Sequence, residues 1–373
     1  MARPPFLKRS FAALGVAALT LMLCGCAATQ MAGGVTDTAA GGQDALTGVF
    51  GSGPQVVGVL AFDEADNLSD GAVDSIYQSA RVAAETLKGN PLTVVVRSAG
   101  VDGADLPYAM QDFDKFGVKL IIGSDVPVVA ADTAKAMIAK GRPTISLTSF
   151  ADMGMQLYGA AFVPGEEAAA LVNEVARRGY KSVLVVTSPG RASTELSKSI
   201  MTLAAAGGVV VRPLDGSTDS QFSAGLTAMT AAGVSVDAVI FAIGPQRAAA
   251  MVDMMKSVSV LKKVAIVGNS GWAVLDPSPR SLKGAWYPSL QGNELSEYAK
   301  KLREAKAGTG TLNSALVYDL LVLAAALPQS VKEDPYHPEI MTASQGFGGF
   351  SGTFRFGPTG MLAARQYVIE TVD

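Results

Sequence analysis

The 373-residue chain has two cysteines, Cys24 and Cys26, and a single histidine, His337. Both cysteines fall within the first 26 residues, so the rest of the chain has no disulfide, no thiol nucleophile and no cysteine metal site. A body of about 320 residues can bury enough core without such staples. His337 stands beside Pro338 in a polar stretch and reads as a loop residue, not as a general base. G-x-S-x-G, H-E-x-x-H, Walker and G-x-G-x-x-G motifs are missing. With no nucleophile–base pair in view, catalysis is not expected, and neither is a cofactor or a metal. A long basic run and an aromatic-interleaved basic patch are also missing, which argues against nucleic acid as a partner.

What is present begins at the amino terminus. Arg3, Lys8 and Arg9 precede a 13-residue apolar run, Phe11 to Leu23. A basic head and a short apolar segment describe an export signal, too short to span a bilayer comfortably. Leu23-Cys24-Gly25-Cys26 resembles the bacterial lipobox, which implies a signal peptide over 1–25 and lipidation of Cys26. Several acyl chains would moor the protein stably to a membrane, which one chain does not. Ala27 stands where an Asp would resemble an inner-membrane retention signal, so outer-membrane attachment is favoured. Loss of Arg3, Lys8 and Arg9 from 30 basic residues leaves 27 against 33 acidic ones, a net charge of −6. Residues 26–54, rich in Gly, Ala and Thr, read as a flexible tether.

From Gln55 the pattern changes. Val56–Phe62 is an apolar run suited to a strand buried on both faces, and Val73, Ile76, Tyr77, Ala80, Ala84 and Leu87 then mark a helical stripe. Strand and helix signals alternate as far as Val264–Val267, which predicts parallel sheets covered by helices on both sides. This length exceeds one comfortable core, so an α/β body of two lobes is expected. The seam falls near Phe150–Pro164, where the alternation pauses. Lobe 1 is expected over 55–160 and 273–328, lobe 2 over 161–272 and 329–373. Residues 349–356 and 365–372 read as two antiparallel strands around a glycine turn.

Several landmarks carry a resemblance. They are Ile121-Ile122-Gly123-Ser124, Arg142-Pro143-Thr144-Ile145-Ser146, Tyr318-Asp319 opening a long apolar helix, and the terminal Phe347–Phe356 run with Gly360 and Arg365. Their order resembles the type I periplasmic binding protein fold, the clamshell of leucine/isoleucine/valine-binding proteins. Phe162–Ala168, Val267–Trp272 and Gly284–Tyr287 are similar to segments of alphaproteobacterial penicillin-binding protein activator lipoproteins. The acidic stretch Phe62–Asn67 replaces an apolar-glycine turn common in relatives.

In such a clamshell, ligands are expected between the lobes at the carboxyl ends of the strands. Ser124, Thr148 and Ser149 from one lobe suit an amino-acid-like carboxylate, and Ser188, Arg191, Gly244 and Trp272 would line the other. Each residue has a plainer reading as well: hydroxyls cap helices, Trp272 packs, and Arg191 is a solvated first-turn side chain. Two functions follow from the resemblance. One is a non-catalytic envelope lipoprotein that regulates peptidoglycan synthesis by contacting a penicillin-binding protein synthase. The alternative is an extracytoplasmic solute-binding protein serving an ABC permease.

Overall fold

The computed structural model describes residues 47–373 apart from 62–71, 88, 90–91, 101–102, 124–126, 139, 149–156, 257, 259–260, 262 and 276–277. The signal peptide, Cys26, most of the tether, the acidic stretch, Ser124 and Ser149 therefore lie outside the described residues.

The first sheet is built from β1 (Gly48–Phe50), β2 (Gln55–Ala61), β3 (Leu92–Ser98), β4 (Leu120–Ile122), β5 (Thr144–Ser146) and β6 (Leu157–Gly159), in the order β1-β3-β2-β4-β5-β6. Helices α1 (Ala72–Thr86), α2 (Leu106–Phe116) and α3 (Pro127–Ile138) connect its parallel strands. The chain then crosses to a second sheet through α4 (Pro164–Arg177). There β7 (Ser182–Thr187), α5 (Arg191–Ala206), β8 (Val210–Asp215), α6 (Asp219–Ala231), β9 (Ala238–Phe241), α7 (Pro245–Met255) and β10 (Ala265–Val267) alternate. A 3₁₀ turn, Ser270–Val274, leads towards β11 (Trp286–Leu290). Three helices, α8 (Leu295–Glu304), α9 (Leu312–Ser330) and α10 (Pro338–Met341), precede a hairpin of β12 (Phe347–Gly349) and β13 (Gly352–Phe354). The last strand, β14 (Tyr367–Thr371), returns to the second sheet, whose order is β14-β11-β10-β9-β7-β8.

Both sheets are buried on two faces, and the pleat shows it. In β3, Val94 and Val96 join one apolar cluster and Val95 joins another. In β7, Leu184 and Val186 face one layer of the second lobe, Val183 and Val185 the opposite layer. The two-lobed α/β expectation holds.

Its chain boundaries shift. β11 pairs with β10 and β14, so Trp286–Leu290 belong to the second sheet and the return crossover comes after Leu290. Residues 329–366 go mainly to the first lobe, because Tyr336, Met341, Phe354 and Phe356 are buried in its core. The terminal strands differ as well. β14 pairs with β11, while Phe347–Gly349 pairs with Gly352–Phe354. The glycine turn survives only as a bridge between Phe356 and Leu362, after which the chain leaves for the other lobe. The tether also ends earlier than composition implies, since Gly48–Phe50 is an edge strand.

Candidate functional site

Three chain crossovers join the lobes, after β6, after β11 and before β14. The parallel strands of each sheet end on one edge, which places the loops after β4 and β5 in one lobe and after β7, β9 and β10 in the other.

On the first lobe, Thr148 follows β5 and is buried, with its backbone N–H donating to Ser146 Oγ at 3.1 Å. On the second lobe, Ser188, Arg191 and Gly244 share the carboxyl edge of the paired strands β7 and β9. Ser188 N–H donates to Ser193 Oγ at 2.9 Å, which fixes the turn into α5. Gly190 and Gly244 are the N-caps of α5 and α7, and neither supplies a capping side chain. The partly positive starts of two helices thus stand at the ends of neighbouring strands, a setting suited to an anion.

Trp272 takes the plainer of its two places and packs. Its ring is fully buried, 6.3 Å from the Phe241 ring, and its indole N–H donates to the Ile243 carbonyl at 3.2 Å. A side chain at Gly268 would overlap that ring, so glycine admits the indole there. Asn269, which sequence reasoning passed over, donates from Nδ2 to the same Ile243 carbonyl at 3.3 Å. Together Asn269 and Trp272 hold the residue just before Gly244, and so set the start of α7. Trp272 supports the rim from behind.

A second set of groups lies at the crossovers. Pro164 opens α4, and Glu166 and Glu167 occupy its first turn, where acidic residues complement the helix dipole. Glu167 is buried and accepts from the Ser270 N–H at 2.6 Å; burial pushes its carboxyl up, with the Ser270 bonds opposing. Asp319, also buried, accepts from Phe350 N–H and Ser351 N–H, both at 2.8 Å, so it pins the β12–β13 turn. Its carboxyl is likewise raised by burial, against the pull of Ser351, Phe350 and Arg365. Arg365 reaches Ser351 Oγ and the Thr353 carbonyl, while its backbone N–H donates to Glu166, each at 3.4 Å. Its guanidinium lies 5.4 Å from the Phe162 ring centre, tying two crossovers together. Desolvation lowers the Arg365 pKa and raises that of Tyr367. Phe162, Glu166, Arg365 and Tyr367 line a cavity of about 10 Å³, room for about one water. The motifs containing Glu167, Asp319 and Arg365 were legible, but their burial was not. Among the described residues no group of three or more His, Cys, Asp or Glu side chains could hold a metal.

A profile of the periplasmic binding protein family matches residues 65–372, and the chain belongs to that family. Its fold is the type I form, which generally binds rather than catalyses, and the family works outside the cytoplasm. Solved structures share the architecture. A leucine-binding protein from Thermotoga maritima is 16% identical, with a TM-score of 0.60 over 85% of this chain and 95% of its own. An ABC transporter substrate-binding protein from Desulfitobacterium hafniense in complex with leucine is 17% identical, with a TM-score of 0.56 over 86% and 97%. A solute-binding protein from Rhodopseudomonas palustris BisB5 in complex with 3,4-dihydroxybenzoic acid is 14% identical, with a TM-score of 0.63 over 85% and 92%. No curated protein matches the chain in sequence.

Proposed function

We propose that the protein is an extracytoplasmic solute-binding protein that presents a small carboxylate ligand to an ABC permease. The observation that carries this reading is the pair of helix starts at Gly190 and Gly244, without capping side chains, on adjacent strand ends of a two-lobed body. Leucine and 3,4-dihydroxybenzoic acid, bound by the structural neighbours, share a carboxylate, the group such helix starts favour. Ser124, Thr148 and Ser149 would hold the ligand from the first lobe, and Ser188, Arg191 and Gly244 from the second. Lobe closure over the ligand would form the surface that the permease reads.

The peptidoglycan-synthase reading loses ground for a physical reason. Its three segments have internal work: Glu167 binds Ser270, Trp272 binds Ile243, and Trp286 lies under Arg178 at 4.8 Å. They brace the rim and crossovers and do not single out a surface for a synthase. Lipidation at Cys26 stays part of the proposal, and mass spectrometry of the mature amino terminus tests it. Membrane fractionation assigns the bilayer, with Ala27 favouring the outer membrane and permease delivery the inner.

A thermal-shift panel of amino acids and aromatic carboxylates tests the ligand class. A panel member at 100 times its Kd stabilises the fold by roughly 2.7 kcal/mol. If no carboxylate moves the transition, solute binding of this class is refuted.

A further inference from the structure

Strand β1 lies in a stretch whose composition reads as linker, yet the fold grips it closely. Gly48, Val49 and Phe50 pair antiparallel with Val96, Val95 and Val94 of β3. The Phe50 ring meets Tyr77 of α1 edge-on, with centroids 5.3 Å apart and planes at 78°. Tyr77 Oη donates to the Thr47 carbonyl at 3.4 Å, and Arg97 Nη1 donates to the Gly48 carbonyl at 3.2 Å. Arg97 is itself held by Asp112 through Nε at 2.9 Å. Thr93 Oγ1 donates to the Gly53 carbonyl at 2.7 Å. Gly51 has φ of +75°, and a Cβ there would overlap the Leu92 carbonyl oxygen. The sharp return from β1 into β2 therefore requires glycine.

Each of these partners belongs to the first lobe. Without β1, β3 would present an open sheet edge. We propose that Thr47–Gly53 is a strap that fastens the incoming chain to the first lobe alone. That lobe is then the moored one, and the second lobe is the one that swings. The mooring clause rests on the proposed lipid anchor; the strap itself does not.

The test uses the full chain with two substitutions. G51V forces the turn apart through backbone geometry, and F50A removes only the ring against Tyr77. Amide exchange at Val94–Val96 should rise about tenfold or more in G51V and by a smaller factor in F50A, with β7 and β9 unchanged, because the opening is local. Limited proteolysis of the wild type should yield bodies beginning no later than residue 47, and of G51V bodies trimmed as far as residue 54. Wild-type exchange at Val94–Val96 in both variants, or equal acceleration in β7 and β9, would overturn the strap. A chain that carries no lipid, or that binds no carboxylate, leaves the exchange result intact, so those failures are distinguishable from this one.

Discussion

Glu167 shows how one side chain links crossover and rim. It sits one turn into α4, just past the first crossover, and holds the first N–H of the Ser270–Val274 turn. Burial raises its pKa in the folded state, so protonation favours the fold. That contribution is whole below the unfolded value near ~4.3 and is lost as pH rises through the folded value. E167Q keeps an acceptor for Ser270 without a buried charge. We expect the urea midpoint of the wild type, relative to E167Q, to fall as pH rises above the unfolded carboxyl value; a pH-independent difference would contradict the assignment. Asp319 gives a second prediction at this scale. D319A strips the acceptor from two backbone N–H groups at the β12–β13 turn. Each orphaned group costs about 1–3 kcal/mol, so denaturant unfolding should show a loss of that order or twice it, and a loss well under 1 kcal/mol would count against the pin.

Among elements, the long, periodic ones and the short apolar runs β4, β5 and β10 were legible, whereas β1 and β6 were not. β2, β3, β7 and β9 announce themselves as apolar runs, and α4 shows its stripe in Ala168, Leu171, Val172 and Val175. β1 and β6 have three residues each, too few to carry a period. β1 is hidden further by glycine-rich flanks, and its evidence lies in Phe50, Tyr77 and Arg97, which meet only in space. β14 looked like the mate of the preceding glycine-rich strand because sequence proximity suggests a hairpin. Its true mate, β11, is about eighty residues earlier. Of the site, Ser188, Arg191 and Gly244 share one strand edge, and Trp272 faces inward, where its indole N–H meets the Ile243 carbonyl. Helix α9 starts at Leu312, ahead of the Tyr318-Asp319 pair expected to open it, in a capping box: Thr311 Oγ1 accepts from Ser314 N–H at 3.1 Å and Ser314 Oγ from Thr311 N–H at 2.7 Å. T311A should cost about 1 kcal/mol in urea titration, with T311S retaining most of it; equal losses in both would point to the methyl group instead.

At the scale of the molecule, the lobes are joined by more than three chain crossings. The 3₁₀ turn Ser270–Val274 belongs to the second sheet's chain, yet its side chains divide. Trp272 packs into the second lobe's core, while Ala273 and Val274 are buried in the first lobe's core beside residues of α8 and α9. The expected boundary between 272 and 273 thus marks a change of side-chain allegiance, although β11, further along the chain, still pairs in the second sheet. A shared apolar turn couples the stabilities of the halves, because separating them exposes Ala273 and Val274 as a unit. Both tryptophans, Trp272 and Trp286, lie in the second lobe, so tryptophan fluorescence follows that lobe, while far-ultraviolet circular dichroism follows both. We expect the two signals to give coincident urea transitions in the wild type, the signature of a single cooperative unit. V274A removes apolar volume only from the first-lobe side of the turn, at a cost of about 2 kcal/mol. If the turn is the coupler, the two curves separate in V274A, with fluorescence keeping the later midpoint. Two curves already apart in the wild type, or still superimposed in a destabilised V274A, would show that the crossovers alone set how the halves unfold.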